Sequence, residues 1–160
     1  MANADCIVLM GGNMAEAHPV GFQWVAEAKA RGARVIHVDP RFTRTSAVVD
    51  KHIAIRAGSD IVLLGGLINY VINNDRYFRE YVVAYTNAAT LISDEFRDPD
   101  DLDGLFSGFD DSTGTYDQST WQYAEDENGP LRDETLQDPR TVFQVLKRHY
   151  ARYTPEMVSQ

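Results

Sequence analysis

The chain has 160 residues, with 24 acidic and 15 basic side chains and a formal net charge of −9. Its 44% hydrophobic and 24% charged content is that of a globular protein, and the acid excess argues against a nucleic-acid or anionic-membrane binder, which needs clustered Lys and Arg. One cysteine, Cys6, excludes an internal disulfide, a cysteine-based zinc site and a self-contained iron–sulfur cluster.

Cys6-Ile7-Val8-Leu9-Met10 is a continuous apolar run closed by Gly11-Gly12-Asn13. Such a run predicts a parallel strand buried on both faces, with Cys6 packed inside it. From Pro19 to about Arg31 the spacing becomes helical. Val20, Trp24, Val25 and Ala28 mark the apolar side, Pro19 suits a first turn, and Gly32 sits where a C-cap glycine belongs. Arg34-Val35-Ile36-His37-Val38 is β-branched and stops at Asp39-Pro40, predicting a second strand. Thr43 to Asp50 suits a short helix, and Ile53-Ala54-Ile55 a short third strand.

Ser59 is a suitable N-cap and Asp60 complements the dipole of the next helix. Ile61, Leu64, Leu67, Ile68 and Val71 recur at helical spacing and predict a helix over 60–74, with a further helix over 76–84. The order is that of a parallel α/β unit, a partial Rossmann-like sheet flanked by helices. We assign 1–90 to it.

Beyond residue 90 the rhythm changes. Residues 1–90 carry 8 acids and 9 bases, whereas 91–160 carry 16 acids and 6 bases. The segment 91–138 reads as a long, acidic, irregular insertion held by aromatic anchors, since a disordered linker would be poor in aromatics. Residues 139–160 read as a helical segment, with one helix opening at Pro139 and another at Thr154-Pro155-Glu156. That last helix has barely a turn before Gln160, which predicts that the chain is part of a longer one. Exposed sheet edges would then give a tendency to self-associate.

Two constellations carry chemistry. A strand–Gly11-Gly12-Asn13–helix turn lets backbone approach a phosphate at a helix N-terminus, and Asp39 lies at the tip of the next strand, where an acid can accept from a ribose diol. The GxGxxG pattern is absent, so these glycines either cradle a phosphate or only turn the chain. Arg56-Ala57-Gly58-Ser59-Asp60 places a carboxylate where it can pair with guanine, or where it simply complements a helix start. Arg41 and Thr43 either contact a phosphate or sugar or sit on a solvated turn. His18, His37, His52 and His149 show no metal-ligand spacing, and the acidic segment contains no calcium-loop pattern.

Three stretches together resemble the molybdopterin oxidoreductases: Gly12-Asn13-Met14-Ala15-Glu16-Ala17-His18-Pro19, Val38-Asp39-Pro40-Arg41-Phe42-Thr43-Arg44-Thr45 and Ile55-Arg56-Ala57-Gly58-Ser59-Asp60-Ile61. The acidic segment and Arg152-Tyr153-Thr154-Pro155-Glu156 are similar to the catalytic subunits of membrane-associated, N/O-type formate dehydrogenases. The resemblance implies that this region holds one of two molybdopterin guanine dinucleotides, loaded with molybdenum or tungsten. By it, Gly12 and Asn13 line the pyrophosphate, Asp39 binds the ribose, Arg41 and Thr43 support that loop, and Gly58, Ser59 and Asp60 cradle guanine. Met14 and Ser59 depart from the family's frequent proline and threonine.

The resemblance further implies formate oxidation to CO2 in a longer subunit whose iron–sulfur cluster and catalytic groups lie outside this segment. It implies partners too: an iron–sulfur subunit and a membrane cytochrome b subunit, on the periplasmic side. Alternatives from other classes are a stand-alone nucleotide-binding module and a subunit-interaction domain.

Overall fold

The structure is a computed structural model and describes residues 1–159. The chain divides into two compact units, Met1–Ile61 and Val62–Gln160.

The first unit is built on three parallel strands in the order β1 (Cys6–Met10), β2 (Arg34–Val38), β3 (Lys51–Ile53). Between β1 and β2 come a single helical turn, α1 (Met14–Ala17), and α2 (Pro19–Ala30); α3 (Arg44–Val48) links β2 to β3. The α/β expectation is met, and so is the glycine stop. Gly32 adopts φ 101°, while its amide and that of Ala33 bond the carbonyls of Lys29 and Ala28, closing the C-terminus of α2.

The core here is Ile7, Val25, Ala28, Ala33 and Val35. It occupies one face of β1, so the expectation of a strand buried on both faces fails. Side chains alternate across a strand; Ile7 points into the core, and Val8 is 51% exposed. Cys6 is exposed instead of packed. On α2, Val25 and Ala28 are buried while Val20 and Trp24 are exposed, which narrows the predicted apolar side to its half facing the sheet.

The third strand lies two residues earlier than its apolar sequence predicts. Asp50 sets the start, because its amide bonds Val35 O and its Oδ2 accepts the Val35 amide at 2.7 Å. The Val35 amide and Lys29 hold the Asp50 carboxyl below the usual carboxylate range. The stop is equally local. The Arg41 amide and the Asp39 carbonyl, which would carry the ladder toward Ile55, are taken by the Asp39 side chain and by His52.

Helix α4 (Asp60–Asn73) runs from the end of the first unit into the second. It buries Gly65, Asn69 and Ile72, while Ile61, Leu64, Leu67 and Ile68 remain exposed. The small residue at Gly65 admits the ring of Tyr153, and Asn69 Nδ2 donates to Tyr153 O at 2.9 Å. The predicted helix over 76–84 is α5 (Arg79–Tyr85).

The acidic segment contains two hairpins, β4 (Phe109–Asp110) with β5 (Thr115–Tyr116) and β6 (Glu125–Asp126) with β7 (Gly129–Pro130). Single bridges from Thr90, Leu91 and Ile92 reach Arg132, Thr141 and Tyr123. The aromatic anchoring predicted for this segment is present: Tyr116 packs against Phe106, Phe109 and Trp121, and Trp121 Nε1 donates to Ser107 O. Ile72, Ala88, Ala89, Leu136 and Phe143 form the core of this unit. Helix α6 (Val142–Tyr150) starts three residues after Pro139, capped by the Thr141 hydroxyl, and α7 (Pro155–Val158) follows.

Candidate functional site

A network of polar side chains sits at the carboxyl ends of β1 and β2. Ligands of open α/β sheets bind outside the carboxyl ends of the strands.

The turn after β1 begins at Gly11, whose amide bonds Val38 O and whose φ is 64°. Left-handed backbone there favours glycine, and a Cβ on Gly11 would meet nothing within 4 Å, so this turn lies open to approach. Asn13 precedes α1 and is tied to α3. Its Oδ1 accepts from the Thr45 hydroxyl at 3.0 Å, and the same hydroxyl accepts the Ala15 amide at 2.9 Å. Asn13 Nδ2 also donates to Glu16, which pairs with Arg44 at 3.1 Å.

Asp39, at the tip of β2, is only 4% exposed and is held on every side. Its amide bonds Ile53 O, its carbonyl accepts from His52 Nε2 at 2.8 Å, and its Oδ1 accepts the Arg41 amide at 2.8 Å. Oδ2 stands 3.8 Å from His37 Nε2. Arg41 contributes its amide to this loop, while its side chain is exposed. Thr43 caps α3 in a reciprocal box with Ser46: its hydroxyl accepts the Ser46 amide, and Ser46 Oγ accepts the Thr43 amide at 2.9 Å.

Gly58, Ser59 and Asp60 form a separate turn. Gly58 takes φ 88° with open space around a Cβ. The Ser59 hydroxyl donates to Arg56 O at 2.7 Å and closes the turn ahead of α4. Asp60 is exposed in the first turn of that helix. The described hydrogen bonds of Ser59 run to Arg56 and not to the Asn13 or Asp39 networks.

Sequence reasoning missed His37, Thr45, Ser46 and His52 as members of this site. The Thr43-x-x-Ser46 spacing was a readable capping signal, whereas His37 and Thr45 are both fully buried and become polar partners only through the fold. Among the described residues no group of three or more His, Cys, Asp or Glu could hold a metal ion, and no helix is long and apolar enough to cross a membrane.

The second unit carries a cavity of about 280 Å3 bordered by Ser93, Arg97, Arg140 and Arg148. Arg140 pairs with Asp94 at 2.7 Å and Arg148 with Asp98 at 3.0 Å. Its rim is thus braced by internal ion pairs.

The molybdopterin oxidoreductase family model matches residues 1–89. The chain belongs to the molybdopterin oxidoreductase family. Within this family it is 51% identical over 158 residues to the formate dehydrogenase-O major subunit of Escherichia coli, covering 98% of this chain and 15% of that protein. It is 52% identical over 159 residues to the formate dehydrogenase major subunit of Haemophilus influenzae, covering 99% of this chain and 15% of the relative. Among solved structures it is similar to acetylene hydratase from Pelobacter acetylenicus, with a TM-score of 0.48 and 18% identity over 94% of this chain and 17% of that one. This molybdopterin oxidoreductase chain thus spans about 15% of the length of the formate dehydrogenase subunits it matches.

Proposed function

We propose that the chain is the part of a formate dehydrogenase catalytic subunit that helps hold one molybdopterin guanine dinucleotide. The observation that carries this reading is identity of about half the residues to formate dehydrogenase major subunits across nearly the whole chain, hairpins and acidic segment included.

The local chemistry fits such a group. The open turns at Gly11 and Gly58 leave backbone accessible, Asp60 offers an exposed carboxylate beside the second, and the buried Asp39 carboxyl ends β2 beside the first. Gly12 and Asn13 would face the pyrophosphate, Asp39 the ribose hydroxyls, and Gly58, Ser59 and Asp60 the guanine edge, where a carboxylate accepts from N1–H and the exocyclic amine. Arg41 and Thr43 brace the Asp39 loop through backbone and capping bonds. In the whole enzyme the bound cofactor, carrying molybdenum or tungsten, supplies the two-electron oxidation of formate to CO2. The residues of this chain bind and orient; none acts on formate. Iron–sulfur clusters, an iron–sulfur subunit and a membrane cytochrome b subunit belong to this reading as parts and partners of the larger, periplasmic enzyme.

Titration of the chain with GDP, GMP and NAD tests the proposal. Guanine-selective binding that Asp60→Ala abolishes is the expected result, together with no formate-dependent dye reduction by the chain itself. NAD preference, or turnover of formate by the isolated chain, would overturn it.

A further inference from the structure

His37 is fully buried on the central strand, and its Nε2 lacks a hydrogen-bond partner among the described residues. A buried ring nitrogen left in that state calls for a physical account. Its environment supplies one. Ser46 Oγ accepts the Thr43 amide at 2.9 Å, so its own proton must go elsewhere. The nearest acceptor is His37 Nδ1 at 2.8 Å, well inside the 3.4 Å to Thr43 Oγ1. With Nδ1 accepting, the ring proton resides on Nε2, the nitrogen that faces Asp39 Oδ2 at 3.8 Å.

His52, the cross-strand neighbour of His37, treats the other end of the same residue. The Asp39 carbonyl can only accept, so His52 Nε2 donates to it. The two rings lie 5.7 Å apart on one face of the sheet. Asp39 is therefore fixed at its carbonyl by one histidine and faced at its carboxylate by the other, while Oδ1 receives the Arg41 amide.

We propose that His37 is a positioning residue for Asp39. Its Ser46-oriented Nε2–H faces Oδ2 and fixes the rotation of the carboxylate, keeping Oδ1 on the Arg41 amide and the loop in the shape a ribose diol would meet. The ribose part of this inference rests on the proposed nucleotide reading; the His37–Asp39 relationship does not. A hydrolytic Ser–His–Asp reading is excluded by burial, since Ser46 is 5% exposed, His37 is fully buried, and the Ser46 hydroxyl already accepts one backbone amide.

The test uses the full chain. Ring nitrogen-15 shifts of His37 in the wild-type protein should place a proton on Nε2; a proton on Nδ1 alone overturns the proposal. In His37→Phe, which removes both ring nitrogens, the Arg41 amide resonance should shift and its exchange quicken, and His37→Gln, which keeps a donor near the Nε2 position, should restore both. A histidine that only packs would leave the Arg41 amide in place in His37→Phe, and that result also overturns it.

GDP is the probe for the ligand arm. His37→Phe should weaken GDP binding by about fivefold, because the Asp39 carboxylate loses the N–H dipole that faces it, with recovery in His37→Gln. If Asp39→Ala leaves GDP affinity unchanged, the ribose reading fails while the nitrogen-15 and amide results still decide the role of His37.

Discussion

The Thr45 hydroxyl donates to Asn13 Oδ1 across 3.0 Å and 32 residues of sequence, tying the turn after β1 to the helix after β2. The same oxygen accepts the Ala15 amide, so one buried hydroxyl sets both the helical turn α1 and the Asn13 side chain. Thr45→Val keeps the shape and removes both bonds. We expect a loss of about 1–3 kcal/mol, because the Ala15 amide and Asn13 Oδ1 lose a partner that is itself fully buried. Urea denaturation would measure it, and an unchanged midpoint would contradict the assigned role of Thr45.

Gly65 makes a different demand. A Cβ there would lie 2.6 Å from Cγ of Tyr153, a ring atom too near its own backbone to swing away cheaply. Alanine is the better helix former, yet here overpacking should win by about 1–3 kcal/mol in the destabilising direction. Thermal melts of Gly65→Ala should fall, and melts of Gly65→Ala combined with Tyr153→Ala should show part of that penalty relieved. Stabilisation by Gly65→Ala alone would refute the packing.

Acid should strike the loop before α6. Asp133 accepts from the Thr135 hydroxyl at 2.6 Å and from the amides of Thr135, Gln137 and Asp138, and these donors push its carboxyl down to about 2 from 3.8. The unfolded chain keeps the ordinary value and takes up its proton first as pH falls. The contribution is thus complete above about pH 4 and is lost toward pH 2. Asp110 and Asp117, also lowered by nearby hydroxyl and amide donors, add in the same direction. Asp133→Asn should be less stable at neutral pH and lose less on acidification; parallel acid curves for the two proteins would rule this out.

Cys6 should react with a thiol reagent in the folded protein. It lies on the face of β1 opposite the buried Ile7, with the exposed Val8 two residues on. Reaction at the rate of an exposed thiol is expected under native conditions, and reaction only in denaturant would place the side chain inside.

Much of this was legible because it is local. The apolar run ending at Gly11, the proline that opens α2, Gly32 and the β-branched run before Asp39 each act within a few residues of chain, and the α/β order follows from them. The helix from Asp60 was equally clear, but its buried side was not. Ile61, Leu64, Leu67 and Ile68 form the stronger apolar stripe, yet the helix buries Gly65, Asn69 and Ile72 because Tyr153 fits only over a glycine. The third strand slid for a similar reason: Asp50 starts its pairing and His52 with Asp39 ends it, irrespective of the more apolar Ile55.

At the candidate site, Gly12, Asn13, Asp39, Arg41, Thr43, Gly58, Ser59 and Asp60 could be named as candidates because the motifs that carry them are contiguous. The sequence could not supply what holds them. The type of each element and the order of elements along the chain arise from near neighbours, so composition and spacing determined them. The pairing of Asn13 with Thr45 and the facing of His37 toward Asp39 depend on which polar atoms the fold brings together. Only the tertiary structure decided that, because a buried hydrogen-bonding group must find its partner wherever the fold brings one.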